Sequence, residues 1–189
     1  MQRIVLASQS PRRKQLLEWA EIEFDIIVPQ TDESFPPGMP INELPIHIAR
    51  EKARSIQSEL SHERIILAAD TIVVLERQVI GKPTDRTNAI QILQQLSGKM
   101  HQVITGVVIL NGQKEIAFAD TTDVTFHHLT REQIEFYVDK YKPYDKAGAY
   151  AIQEWIGVIG IKSISGDFYN VMGLPVSKVV KVLREQLNG

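Results

Sequence analysis

The sequence predicts an α/β protein with a mixed, twisted β-sheet and flanking helices. Three features predict this class: apolar, β-branched runs that alternate with segments of helical periodicity, a hairpin signal at Asn111-Gly112, and the absence of internal repeats. Strands that alternate with helices need crossover connections, whereas the Asn-Gly pair joins antiparallel strands. We therefore predict one mixed sheet in a single domain that spans residues 1–189.

The amino-terminal elements are predicted from their apolar patterns and their helix-start signals. Arg3 to Ala7 predicts a buried strand, and Ser10-Pro11 predicts the start of a helix with a capping hydroxyl and proline in the first turn. Phe24 to Val28 predicts a second strand. Apolar residues at helical spacing from Ile41 to Leu60 predict an amphipathic helix, and its regular part should begin near Pro45.

A long apolar run and several shorter segments complete the predicted sheet. Ile65 to Leu75 is almost continuously apolar, which is typical of a strand covered on both faces. The same criteria predict, in chain order, a strand Gln78 to Ile80 after a turn at Glu76-Arg77, a helix Thr84 to Ser97, strands Met100 to Leu110 and Ile116 to Phe126, a helix from Thr130 to about Tyr141, a strand around Val158 to Ile164, and a helix Val176 to Leu187.

Composition and charge exclude several classes of protein. Hydrophobic residues make up 43% and charged residues 23%, as in ordinary globular proteins. The apolar runs are too short for a membrane span and the amino terminus lacks a secretion signal, so we expect a cytoplasmic protein without a membrane partner. The chain has no cysteine, so a metal must bind through oxygen or imidazole. A formal charge of −2 argues against a nucleic-acid partner.

Two arginines occupy the first turn of the first predicted helix, in the stretch Ser8-Gln-Ser-Pro-Arg-Arg13. Cations oppose the helix dipole there by a few tenths to ~1 kcal/mol each, unless an anion binds to the free amides and the guanidinium groups together. One interpretation is therefore a phosphate-bearing ligand. The alternative is that Arg12 and Arg13 extend into solvent along their aliphatic stems. The local sequence favours neither.

Asp70-Thr71 interrupts the apolar run that predicts the central strand. A buried carboxylate costs free energy unless it meets a cation, a metal or several hydrogen-bond donors. A structural ion pair would explain Asp70, and so would a strand end that has already left the core. Because ligands of open α/β sheets collect at strand carboxyl ends, we favour a functional role.

Two lysines are candidates for the same site. Lys52 shares an i, i+4 row with the apolar residues Ile48 and Ile56, so it should point toward the interior or a cleft, although an extended stem that reaches solvent is the alternative. If the turn at Glu76-Arg77 is tight, Lys82 returns level with Asp70-Thr71. No G-x-x-x-x-G-K-[ST] or G-x-G-x-x-G motif is present, which disfavours P-loop and Rossmann nucleotide sites.

Six stretches of the sequence form a recognisable set: Ser8-Gln-Ser-Pro-Arg-Arg13, Ala68-Ala-Asp-Thr71, Gly81-Lys-Pro83, Ser97-Gly-Lys-Met-His101 with Thr105-Gly106, Lys146-Ala-Gly-Ala-Tyr-Ala-Ile-Gln153, and Asn170-Val-Met-Gly-Leu-Pro175. Taken together, they resemble the Maf family of nucleotide pyrophosphatases over almost the whole chain. The resemblance implies an inosine-triphosphatase-like (Maf/Ham1) fold with two lobes around a cleft, dependence on a divalent cation (Mg²⁺ or Mn²⁺), and a homodimer.

The resemblance also implies roles for individual residues. Asp70 would be the general base and a metal ligand, together with Glu33. Phosphate binding would fall to four residues spread over the first half of the chain: Ser8, Arg13, Lys52 and Lys82. Three residues match the subgroup that selects dTTP and UTP: Arg12, Thr71 and Gln153. The implied reaction hydrolyses the nucleoside triphosphate to the monophosphate and pyrophosphate.

Two other functions stay open at this point. The chain would be a pyrophosphatase for modified nucleotides if the base pocket favours them. It would be a nucleotide-binding regulator of septum formation, without chemistry, if Asp70 does not activate water. A buried carboxylate beside phosphates is unfavourable in a protein that merely binds them, so Asp70 favours the enzyme.

Overall fold

The computed structural model describes residues 3–32, 34–60 and 64–187. Seven strands form one sheet in the order β2-β1-β3-β5-β6-β7, with β4 paired to β3 outside that path. The strands are β1 (Ile4–Ala7), β2 (Phe24–Ile27), β3 (Ile66–Leu75), β4 (Gln78–Ile80), β5 (Met100–Asn111), β6 (Lys114–Phe126) and β7 (Ile161–Ser165). Because β1 is parallel to β2 and β3 while β4 and β7 are antiparallel to their neighbours, the sheet is mixed as predicted.

Helices connect and flank these strands. They are α1 (Pro11–Trp19), α2 (Leu44–Gln57), α3 (Arg86–Leu96), α4 (Arg131–Tyr141), α5 (Trp155–Gly160), α6 (Phe168–Met172) and α7 (Val176–Leu187). Within the described part of the chain, none of them is long and apolar enough to cross a bilayer. The capping box predicted at Thr130 is confirmed, since its hydroxyl accepts the Gln133 amide and the Gln133 side chain accepts the Thr130 amide.

One local prediction is confirmed only in part, and another was wrong. The segment predicted as a strand from Val158 to Ile164 forms α5 up to Gly160 and becomes a strand only at Ile161, because the Glu154 carbonyl accepts amides one turn ahead, including that of Gly157. Ser10 occupies the cap position of α1, but its hydroxyl makes no capping bond. Instead the Ser8 hydroxyl accepts the Ser10 amide at 3.1 Å.

The chain divides into two compact units. The first contains the described residues of 1–71, 105–120 and 173–189. Its core lies between α2 and one face of β1, β3 and β5, and it includes the buried residues Val5, Ala7, Ala49, Ala53, Ile56, Ile66, Ala68, Val108 and Leu110. Gly106 lets α2 approach this sheet, because a Cβ there would stand 2.3 Å from the backbone of Pro45 and Ile46.

The second unit contains residues 72–104 and 121–172. Three aromatic rings meet in its core, with His101 edge-on to Phe126 and Tyr150 at centroid distances of 5.1 and 5.5 Å. The His101 Nε2 shares a 2.8 Å hydrogen bond with the Tyr150 hydroxyl. Burial lowers the pKa of His101 to about 4 and raises the pKa of Tyr150 above its ordinary value. The imidazole is therefore neutral at physiological pH.

Candidate active site

The candidate site lies in the first unit, where β1 ends beside β3. The parallel pairing of the two strands stops at Ala7, which pairs with Ala68. Asp70 and Thr71 continue along β3 beyond that last pair, and Ser8 begins the loop that leads into α1. Ligands of open α/β sheets bind at such carboxyl ends, because the loops there leave polar groups free of the ladder.

Arg13 is buried beside this strand end, although it lies in the first turn of α1. Its guanidinium donates three hydrogen bonds: Nε to the Gly173 carbonyl at 2.8 Å, Nη1 to the Ser8 hydroxyl at 3.3 Å, and Nη2 to the Thr71 hydroxyl at 3.0 Å. These bonds fix the planar fork in one orientation. The alternative of a solvent-directed Arg13 is therefore wrong.

Thr105 extends the network around Arg13. Its hydroxyl is fully buried in β5 and lies 2.9 Å from the Thr71 hydroxyl. Thr105 and Gly173 lie in stretches that carry the family resemblance, but no role was predicted for either. A hydroxyl within the apolar stretch around Val103 to Ile109 needs a buried partner, and that signal would have indicated Thr105.

Lys52 and Asp70 form a buried ion pair. The Lys52 ammonium donates to the Asp70 carboxylate at 2.7 Å, and their side chains are 9% and 13% exposed. The prediction that Lys52 points inward from α2 is confirmed. The pair also explains how a carboxylate is tolerated in β3, since a buried charge needs a partner of opposite sign.

Asp70 and Thr71 occupy opposite faces of β3. Asp70 shares its face with Ile66 and Ala68, which pack in the core under α2, because side chains alternate along a strand. Thr71 points to the other face and contacts Arg13 of α1. Since β1 has already ended at this level, both groups border the same strand end.

Three other residues were predicted for the site: Arg12, Lys82 and Gln153. Arg12 is half-buried on α1 in the first unit. Lys82 follows β4, and Gln153 lies on a turn before α5; both side chains are exposed, and both residues belong to the second unit. The predicted tight turn at Glu76-Arg77 joins β3 to β4, and the ladder between these strands pairs Val73 with Ile80. Whether Lys82 takes part in the site stays a prediction.

The described residues fit a divalent cation only in part. Glu33 lies outside the described residues, and among residues 3–32, 34–60 and 64–187 no group of three acidic, histidine or cysteine side chains could hold a metal ion. A complete protein cage is thus not formed by those residues. Mg²⁺ needs less than that when it is bound with a nucleotide, because one or two carboxylates and the phosphate oxygens hold it. Asp70 provides one such carboxylate.

The fold and the site define an α/β protein with buried cationic side chains and a carboxylate at the carboxyl end of parallel strands. Open α/β sheets bind their ligands at this end. The chain belongs to the Maf family, since the family model described as Maf-like protein matches residues 3–186.

Named relatives agree with this membership. The chain is 49% identical to a dTTP/UTP pyrophosphatase of Cytophaga hutchinsonii over 98% of this chain and 84% of that protein. It is 47% identical to a dTTP/UTP pyrophosphatase of Bacteroides fragilis over 97% of this chain and 95% of that protein. Among solved structures, a HAM1 protein from Coxiella burnetii matches 98% of this chain and 100% of its own with a TM-score of 0.51 at 18% identity. This likeness shows that the predicted Ham1-type fold is correct.

Proposed function

We propose that the chain is a nucleoside triphosphate pyrophosphatase that hydrolyses dTTP and UTP to the monophosphate and pyrophosphate. The observation that carries the proposal is the set of three buried ionic side chains, Arg13, Lys52 and Asp70, at the end of β1. Family membership and the names of the relatives support the same activity.

Phosphate binding would use the cations together with the amino terminus of α1. Arg13 is already oriented by three acceptors, so little side-chain entropy remains to be lost when a phosphate binds. Ser8 adds a hydroxyl and Lys52 an ammonium, and Lys82 is the fourth phosphate ligand of this proposal. The helix dipole of α1 favours an anion at the same place, and its first turn carries no acidic residue.

The Lys52–Asp70 pair suits a change of partners during the reaction. In the pair, each charge compensates the other. A triphosphate offers Lys52 a second anionic partner, which leaves the Asp70 carboxylate able to accept a hydrogen bond from water. Asp70 then takes a proton as that water attacks the α-phosphorus, the bond from this phosphorus to the α–β bridging oxygen breaks, and pyrophosphate leaves.

We include a divalent cation, Mg²⁺ or Mn²⁺, in this proposal, with Asp70 and Glu33 as its protein ligands. When bound, such an ion neutralises phosphate charge and lowers the pKa of a coordinated water. Asp70 suits the role because it is a carboxylate at the strand end, and the chain offers no thiolate to favour a softer metal.

Base selection would depend on Arg12, Thr71 and Gln153. A primary amide offers both a donor and an acceptor, which matches the imide edge that uracil and thymine share. Cytosine presents a different pattern at that edge, so a fixed amide discriminates against it. The exposed side chain of Gln153 is compatible with contact to a base.

We also propose that the enzyme acts as a cytoplasmic homodimer without a nucleic-acid or membrane partner. The formal charge of −2 supports the absence of a nucleic-acid partner. Analytical ultracentrifugation of the full chain tests the assembly, and a single monomer species at micromolar concentration would contradict it.

One experiment tests the activity. The purified chain is incubated with Mg²⁺ or Mn²⁺ and a panel of canonical and modified triphosphates, and pyrophosphate and orthophosphate are measured separately. We expect pyrophosphate with dTTP and UTP as the preferred substrates. Release of orthophosphate, or preference for a modified or purine nucleotide, would contradict the proposal, and binding without turnover of any triphosphate would favour the regulator.

A further inference from the structure

Gln153 lies on a tight turn whose geometry is fully defined within the second unit. The Glu154 amide donates to the Ala151 carbonyl at 3.1 Å, so residues 151–154 form a four-residue turn with Gln153 in its third position. Ile152 is buried at 4% exposure and anchors the turn, while the Gln153 side chain is exposed. The turn backbone therefore sets the direction of the Cα–Cβ bond of Gln153.

A single hydroxyl binds both ends of this turn. Tyr137 of α4 is completely buried, and its hydroxyl accepts the Ala151 amide at 3.2 Å and donates to the Glu154 carboxylate. The Tyr137 hydroxyl thus binds both Ala151 and Glu154, the first and last residues of the turn. The ring is itself held in place by stacking on Tyr141 at 5.0 Å between centroids.

Two further contacts restrict the same turn. The Lys146 ammonium lies 3.7 Å from the second oxygen of the Glu154 carboxylate, and Lys146 is 8% exposed. Gly157 of α5 approaches the turn so closely that a Cβ there would stand 1.7 Å from the Ile152 carbonyl oxygen. The turn is therefore contacted both at Ile152 and at Glu154.

We propose that Tyr137 is a positioning residue for base selection: its hydroxyl fixes the 151–154 turn so that the Gln153 amide meets the base in one orientation. The inference rests on the proposed function, because it assigns a purpose to the rigidity of the turn that carries Gln153. A discriminating hydrogen bond requires a fixed donor and acceptor, since a mobile amide rotates to suit a competing base. Tyr137 does not need to touch the nucleotide.

The test is the ratio of kcat/KM for UTP to that for CTP. Tyr137→Phe removes the hydroxyl and keeps the buried ring, and we expect the ratio to fall about tenfold, the equivalent of one lost hydrogen bond. Tyr141→Phe is the matched control, because it removes a hydroxyl from the partner ring on the same helix, and its ratio should stay at the wild-type value. A purely structural role would lower stability and both kcat/KM values together without changing their ratio.

Gln153→Ala and the double variant Tyr137→Phe/Gln153→Ala separate this inference from the proposed function. We expect Gln153→Ala to lower the ratio and Tyr137→Phe to lower it no further in that background. If Gln153→Ala lowers the ratio and Tyr137→Phe does not, or if the two effects multiply, the inference is wrong and base selection by Gln153 stands. If Gln153→Ala leaves the ratio unchanged, the proposed role of Gln153 and the inference both fail.

A second pair of variants tests the positioning role of Tyr137 if Tyr137→Phe does not fold. Glu154→Gln keeps an acceptor for the Tyr137 hydroxyl, whereas Glu154→Ala removes it. We expect Glu154→Gln to retain most of the UTP preference and Glu154→Ala to lose it. Equal UTP preference in these two variants would overturn the inference.

Discussion

The strand end of the first unit and the aromatic core of the second unit hold buried polar groups of different charge. In the first unit, Arg13 and the Lys52–Asp70 pair bring three ionic groups to a strand end. In the second unit, His101 is enclosed by aromatic rings and held neutral, since burial lowers its pKa to about 4. Burial of a polar side chain thus does not by itself indicate a site. Retained charge beside a strand end is the better indicator.

Lys52→Met gives the largest expected change in stability. It leaves the Asp70 carboxylate buried without its cation, and loss of one partner from a buried pair costs about 3–5 kcal/mol. Urea denaturation measures the free energy of unfolding. The double variant Lys52→Met/Asp70→Asn removes the uncompensated charge and should recover most of the loss. A single variant as stable as wild type would show that the charges do not depend on each other.

His101 predicts a pH dependence in the second unit. Its pKa is about 4 in the folded protein against an ordinary 6.5, so between these values the unfolded chain binds more protons. Stability should be complete above pH 6.5 and fall by on the order of 3 kcal/mol as pH drops to about 4. Urea titrations across this range measure it.

His101→Gln is the control for that prediction. Glutamine offers Tyr150 a hydrogen-bonding group but does not titrate, so the slope of stability against pH should become flatter. An unchanged slope would assign the pH dependence to carboxylates instead.

Gly106→Ala tests how closely α2 must approach the sheet that carries Asp70. The new Cβ would stand 2.3 Å from backbone atoms of Pro45 and Ile46, which cannot move without shifting α2. We expect a loss of about 2 kcal/mol in the free energy of unfolding, together with a lower kcat. Gly81→Ala is the matched control for stability, because a Cβ there meets no atom within 4 Å. Equal stability of the two variants would contradict this account of the packing.

Thr105→Val gives the smallest expected effect. It removes the hydroxyl that lies 2.9 Å from the Thr71 hydroxyl and keeps the shape of the side chain. We expect a loss of about 1 kcal/mol in stability and a higher KM for dTTP, since Thr71 also holds Arg13. Steady-state kinetics with dTTP and UTP provide the check. A shift in base preference with an unchanged KM would place Thr105 in base selection instead.

Local patterns predicted much of the fold. The Asn111-Gly112 hairpin, the β3–β4 turn and the Thr130 capping box depend on residues close in sequence, and the structure confirms each of them. The segment Val158 to Ile164 was predicted less well, because its β-branched residues suit a strand whereas contacts at Glu154 and Gly157 favour a helical turn.

The candidate site was predicted only where it depends on local sequence patterns. The inward direction of Lys52 follows from helical spacing, and the need of Asp70 for a partner follows from its apolar strand. The orientation of Arg13 depends on the Gly173 carbonyl, 160 residues away in the chain. A contact between such distant residues leaves no periodic signal, so the sequence left the direction of Arg13 open.

The most direct test of the central claim is turnover and binding by Asp70→Asn. The variant should keep its affinity for a non-hydrolysable dTTP analogue in calorimetry, while pyrophosphate release falls by about 10²–10⁴-fold because no carboxylate accepts the proton of the attacking water. Asp25→Asn is the control and should turn over dTTP like wild type, because Asp25 is a half-buried acid of the same unit that pairs with Arg64. Turnover by Asp70→Asn at the wild-type rate would contradict the account.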